Sequence, residues 1–192
     1  VYKRQTNIIR NKETPWLVCV ILLKMEYDVT RSSSLLRMLL EFPYLPSPLS
    51  VIDSALNLAK LSSTDIFADL GCGDGVVLIR AAERCGVFSV GFEIDRRFVN
   101  IAWKNVKDAG LENLIDVVHS DLFTVDISRF SVVYIYPYPP ILRGLSEKII
   151  NECSKGSRIL VYRYPLEYLH PVRVVQTSQG NFLTHMIYLY EF

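Results

Sequence analysis

The chain has 192 residues, half of them hydrophobic, which is enough for one domain with a sizeable core. Its 21 Lys and Arg against 20 Asp and Glu leave a net charge of +1, so no basic surplus argues for a nucleic-acid partner. Four scattered cysteines (Cys19, Cys72, Cys85 and Cys153) form no C-x-x-C pair and have no histidine at ligand spacing, so no metal site is expected and they read as free thiols of a reducing, cytoplasmic compartment.

Residues 1–40 read as an N-terminal extension, partly non-native or without order, ahead of a domain spanning 41–192. Val1-Tyr2-Lys3-Arg4-Gln5 resembles the translation of a library adapter. The apolar run from Trp16 to Leu23 is only eight residues long, against the ~20 needed to cross a bilayer. Lys24-Met25-Glu26 follows it where a signal peptide would have small residues, so no membrane segment is expected. The alternative for this region is an additional amphipathic helix packed on the domain. Phe42-Pro43-Tyr44-Leu45-Pro46-Ser47-Pro48 then forms a proline-rich lead-in, with Ser47 placed to cap a helix that has Pro48 at its first position. Val51, Ile52, Ala55, Leu56, Leu58 and Ala59 recur at helical spacing behind it.

From there strands and helices alternate. Strands are predicted at 66–70, 88–93, 115–119, 132–136 and 158–162, and helices at 76–85, 96–109 and 143–153. Two final strands at 172–177 and 183–190 flank Ser178-Gln179-Gly180-Asn181, a hairpin signal. Such alternation implies an α/β fold, a parallel sheet with helices on both faces, and the hairpin adds an antiparallel strand at one end. No repeat or interdomain linker interrupts it, and a monomer is the expectation.

Asp69-Leu70-Gly71-Cys72-Gly73-Asp74-Gly75 joins the first strand to its helix. Alternating glycines let a backbone turn sharply and lie close to a ligand. A nicotinamide fingerprint needs glycine where Val76 stands, and a phosphate loop needs a Lys-Ser/Thr that is missing. Asp69 beside the ligand repels pyrophosphate and attracts an ammonium or sulfonium. A cationic, phosphate-free nucleoside fits that charge pattern, S-adenosylmethionine above all. Ligands of open α/β sheets bind at the carboxyl ends of the strands. Three acids stand there in succession: Asp69, Glu93 to accept from ribose hydroxyls, and Asp121 to accept from an adenine amino group, with Ile94 and Leu122 as apolar surfaces for the ring. Backbone amides from Gly71 to Gly75 are expected to face the cofactor's carboxylate. Asp74 and Asp95 read as helix caps instead.

At these residues the chain resembles the class I S-adenosylmethionine-dependent methyltransferases, and more narrowly the small archaeal-type protein lysine methyltransferases. The similarity runs from about Tyr44 to the C-terminus and includes Tyr44-Leu45-Pro46-Ser47-Pro48, the glycine turn, Gly91-Phe92-Glu93-Ile94-Asp95, Gly110-Leu111, Asp121-Leu122-Phe123, Lys155-Gly156-Ser157-Arg158 and Tyr188-Leu189-Tyr190. It implies a Rossmann-like sheet of seven strands in order 3-2-1-4-5-7-6, the last antiparallel. It also implies cofactor contacts from Ser47, Asp69, Gly71, Cys72, Gly73, Gly75, Glu93, Ile94, Asp121 and Leu122.

The acceptor is less sharply written. After strand four the family tends to carry an Asn-Glu pair, where this chain has Leu142-Arg143. Tyr134, Tyr136 and Tyr138, two residues apart, would point to one face and line an acceptor channel as candidate catalytic residues. Pro137-Tyr138-Pro139-Pro140-Ile141 sits where methyltransferases of nucleobase amines commonly carry Asn/Asp-Pro-Pro-Tyr/Phe, but with Tyr138 in place of the amide-binding residue and Ile141 in place of the stacking aromatic. Protein lysine therefore ranks ahead of RNA or DNA as acceptor, a small molecule comes third, and a binding module without turnover is the non-enzymatic alternative. His119, His170 and His185 show no partner in the sequence.

Overall fold

The computed structural model describes residues 44–179 and 183–192; the expected extension over 1–40 and the tip of the terminal hairpin lie outside the described residues. Seven strands form one sheet: β1 (Ile66–Leu70), β2 (Phe88–Glu93), β3 (Ile115–His119), β4 (Val132–Ile135), β5 (Arg158–Tyr162), β6 (Arg173–Gln179) and β7 (Leu183–Glu191). Their order is β3-β2-β1-β4-β5-β7-β6, and β7 runs antiparallel to both its neighbours. The helices are α1 (Leu49–Leu58), α2 (Val76–Cys85), α3 (Arg96–Asp108) and α4 (Leu142–Glu152), with a 3-10 turn at Pro139–Ile141. The described residues from Pro46 onward belong to one unit.

Side chains alternate across a strand, so each central strand serves two cores. Phe67, Val132, Leu160 and Ile187 face α1, α2 and α3 through Val51, Leu56, Leu78, Ala81, Ala102 and Val106. Ala68, Val133, Ile159 and Val161 face the other way, towards Leu145 and Ile149 of α4. Asp53 on α1 takes hydrogen bonds from the Arg80 guanidinium of α2 at 2.8 and 2.9 Å and lies 2.7 Å from Arg84, tying the two helices together.

Three departures from the sequence reading are local. Strand β4 ends at Ile135, before Tyr136, because Pro137 and the 3-10 turn take the chain out of the sheet. Pro48, not Ser47, is the N-cap of α1: its carbonyl accepts from Val51 and Ile52, and no side chain caps the helix. The hairpin strands are each one residue longer than predicted: β6 begins at Arg173 and runs on towards the turn to Gln179, and β7 runs on at its far end to Glu191.

Two outcomes follow. A Cβ on Gly91 would stand 2.5 Å from Leu78 Cδ1 and 2.6 Å from Cys72 Sγ, so Gly91→Ala should cost about 1–3 kcal/mol of stability, read by chemical denaturation. The hydrogen bond from Arg80, with Arg84 beside it, holds the Asp53 carboxyl down at about 2. A depressed carboxyl stabilises the fold above its unfolded value, so that contribution should disappear as pH falls from about 4 to about 2. Thermal scans across that window should show a smaller pH dependence for Asp53→Asn.

Candidate active site

The period of two that splits the core also assembles the site. Ser89 and Gly91 place Glu93 on the α1–α3 face of β2, Phe67 places Asp69 on the same face of β1, and Tyr134 and Tyr162 share it on β4 and β5. The four parallel strands are in register there, with Gly91 opposite Asp69 and Asp69 opposite Tyr134. Acids and tyrosines thus meet at the carboxyl edge, where β1 runs into the glycine turn.

That turn is left-handed at Gly71 (φ 88°), Gly73 (φ 53°) and Gly75 (φ 81°), a conformation a Cβ would strain. Its amides are engaged within the protein: Gly71 and Cys72 donate to the Phe92 carbonyl, Gly75 to the Cys72 carbonyl, and Gly73 to Glu93 Oε2 at 2.9 Å. The expected cradle of free amides over Gly71–Gly75 is therefore absent at these four positions. The turn supplies shape instead: among the described residues nothing lies within 4 Å of where a Gly71 side chain would begin, and Gly71 is exposed. Cys72 is buried under the turn, and burial pushes its thiol far up, so it stays protonated packing. Asp74 accepts from the Val76 amide at 3.1 Å and Asp95 from the Arg97 amide at 2.9 Å, as capping residues do.

Asp69 is 2 % exposed, and among the described residues no donor reaches its carboxylate. Burial first, then the neighbouring Glu93 and Asp74 carboxylates, push Asp69 well above the usual carboxylate range. Glu93 is fixed by two amides, Gly73 on Oε2 and Asp95 on Oε1, both at 2.9 Å. The Ser120 amide donates to the Glu93 carbonyl, so the segment carrying Asp121 and Leu122 begins beside it. Asp121 is half-buried and accepts from the Phe123 amide. Ile94 is 52 % exposed, an apolar surface open to solvent, and Leu122 is half-buried. A buried, donor-less carboxylate backed by two more acids, next to open space over a glycine, fits a cationic group and rejects a phosphate. The donor set suits the sulfonium and ammonium of S-adenosylmethionine.

Tyr134 is 1 % exposed, and its hydroxyl is 2.8 Å from Ser47 Oγ, so this pair ties the lead-in to β4 from inside the core. Tyr136 and Tyr138 lie beyond the strand and are half-buried; the Tyr136 ring packs on Tyr162, centroids 4.3 Å apart. His119 Nε2 is 3.0 Å from the Ile94 carbonyl, on the rim of the acid cluster.

Sequence reading missed three residues here. Tyr162 ends β5 beside Tyr136, Arg163 follows it, and His185 on β7 stands 2.5 Å through Nδ1 from the Tyr162 hydroxyl. For two of them the signal was present in the period of two: Leu160 faces α1, so Tyr162 does as well, and Ile187 does the same for His185.

Comparison with known proteins agrees with this geometry. The family model of the ANTKMT methyltransferase domain matches residues 69–173. A protein-lysine N-methyltransferase of Saccharolobus islandicus (strain REY15A) is 34 % identical over 149 residues, covering 77 % of this chain and 92 % of that protein. The adenine nucleotide translocase lysine N-methyltransferase of Mus musculus is 28 % identical over 137 residues, covering 71 % of this chain and 59 % of its own length. Among solved structures, an RNA methyltransferase from Salinibacter ruber in complex with S-adenosyl-L-homocysteine superposes with a TM-score of 0.71 at 35 % identity, over 77 % of this chain and 93 % of that one. The chain belongs to the ANTKMT-type family of S-adenosylmethionine-dependent methyltransferases.

Proposed function

We propose that this chain transfers the methyl group of S-adenosylmethionine to lysine side chains of a protein. The observation that carries it is the orphaned Asp69 carboxylate in a family of such enzymes, two relatives of which are named for lysine. S-adenosylmethionine supplies an activated methyl group on a sulfonium. Asp69 holds the cationic end, Glu93 offers its remaining lone pairs to the ribose hydroxyls, and Asp121, Ile94 and Leu122 receive the adenine. Gly71, Cys72, Gly73 and Gly75 let the backbone approach, and Ser47, bonded to Tyr134, fixes the lead-in near the cofactor's amino-acid end. Transfer to a neutral amine needs little acid–base machinery, so the residues act by position and by excluding water. Tyr136 and Tyr138 form the wall that the acceptor meets, with Tyr134 behind them as support.

The similar Salinibacter ruber structure, named an RNA methyltransferase, favours a second reading in which a nucleobase stacks on Tyr136 or Tyr138. The near-zero net charge and the loss of the amide-binding residue at Tyr138 weigh against it. We place the protein in the cytoplasm on the strength of the free thiols Cys72, Cys85 and Cys153, and we propose a monomer with a domain over 41–192. Among the described residues no helix is long and apolar enough to cross a membrane.

An assay with labelled methyl donor on cell extract, with protease and nuclease controls, should put the label in the protease-sensitive fraction; label removed by nuclease instead would assign an RNA or DNA acceptor. Asp69 gives a second outcome. A carboxyl whose proton affinity rises on folding stabilises where it is protonated and costs stability above that range. Asp69→Asn should therefore raise the thermal midpoint of the free protein at neutral pH while weakening S-adenosylmethionine binding at least tenfold by calorimetry. A lowered midpoint with unchanged affinity would remove Asp69 from the site.

A further inference from the structure

Arg163 is a half-buried cation without a counter-ion: among the described residues no carboxylate pairs with it. Its surroundings fix it all the same. The backbone is left-handed (φ 77°), a costly conformation for a residue with a Cβ, and its amide donates to the Met186 carbonyl at 2.8 Å. The guanidinium donates to the Tyr136 hydroxyl at 3.3 Å and lies 5.7 Å from the centre of the Tyr164 ring. The same segment holds a second left-handed side-chain residue, Tyr168 (φ 63°). A surface arginine left to itself would extend into water; this one is turned along the carboxyl edge towards Tyr136, on the side of β4 away from the acids Asp69 and Glu93.

We propose that Arg163 selects the acceptor in its uncharged form, its fixed guanidinium repelling an ammonium from the Tyr136 wall and admitting an amine. This inference rests on the lysine reading above. A lysine arrives mostly protonated, since its ordinary proton affinity lies far above neutral pH. A nearby like charge disfavours the protonated form. The other titratable groups facing Arg163 do not offset it. Tyr136 after β4, and Tyr162 and Tyr164 at and just past the end of β5, bring phenols and no carboxylate, and burial pushes the Tyr162 hydroxyl up. His185 on β7 is held down by burial and, next, by Arg163 itself, so it stays neutral. Thr177, opposite His185 on β6, does not titrate. Arg163 acts on His185 from the end of the neighbouring strand, so its charge is felt within the cluster that Tyr162 and Tyr136 share.

His185 therefore reports on the charge without any cofactor or substrate. In the free, full-length protein, the imidazole titration followed by NMR should move to higher pH in Arg163→Met and return in Arg163→Lys. With extract protein as acceptor and saturating S-adenosylmethionine, the acid limb of the initial-rate profile should move up by about one pH unit in Arg163→Met and be restored by Arg163→Lys. An unmoved imidazole overturns the proposal outright. A moved imidazole with an unmoved limb, while label still enters protein, overturns it and leaves the lysine reading intact. A rate loss that is equal at every pH and rescued by Arg163→Lys would instead make Arg163 an anchor for an anion of the substrate, which also overturns it. Label in RNA would overturn the lysine reading and the proposal together.

Discussion

The structure turns on one unmet electrostatic demand: a carboxylate, Asp69, buried at the end of β1 with no donor reaching it among the described residues and two acids beside it. Such an arrangement does not persist for the sake of folding, because an uncompensated buried charge opposes the compact state. What surrounds it makes sense as support. Gly91 has no side chain, so Cys72 and Leu78 can close beneath the turn, and the turn in turn delivers the Gly73 amide to Glu93. Glu93 is consequently held in place rather than free to swing away from Asp69, and the repulsion between the two is built in until a cation arrives.

The sheet explains why the acids and the aromatics form one site and not two. In-register parallel pairing puts Asp69 opposite Tyr134, and a period of two carries that face across β5 and β7 to Tyr162 and His185. A slip of one residue in any of these strands would turn its polar side chain into the other core. The hydrophobic pattern that stabilises the fold is therefore the same constraint that aims the site.

Much of this was legible in the sequence. The bounds of β1, β2, β3, β5 and α2 match the reading: Gly71 follows β1, Glu93 ends β2, Gly86 closes α2, and β3 and β5 are short apolar runs that stop at polar residues. The strand order came from the family resemblance and could not have come from periodicity, which says nothing about which strands are neighbours. The cofactor side was readable because its chemistry lies in a few adjacent residues. The proposed acceptor side was not: Tyr136, Tyr162, Arg163 and His185 come together from β7 and from the ends of β4 and β5, and the left-handed backbone at Arg163 has no sequence signal when the residue is not glycine. The amides of the glycine turn were misjudged for a similar reason. Their partners, the Phe92 carbonyl and the Glu93 carboxylate, belong to another strand and are visible only once β1 and β2 are paired.

In the proposed reading the two halves of the site carry opposite charge, as their chemistry calls for. A sulfonium must be held, so its side is acidic; a nucleophilic nitrogen must keep its lone pair, so a cation beside it is no handicap once the proton has gone. Where the resembling family carries an Asn-Glu pair this chain has Leu142-Arg143, which brings no carboxylate, and among the described residues nothing anionic pairs with Arg163. An enzyme built this way does not pull a proton off its substrate. It waits for the neutral fraction and keeps the rest out, which trades rate at low pH for independence from a dedicated base.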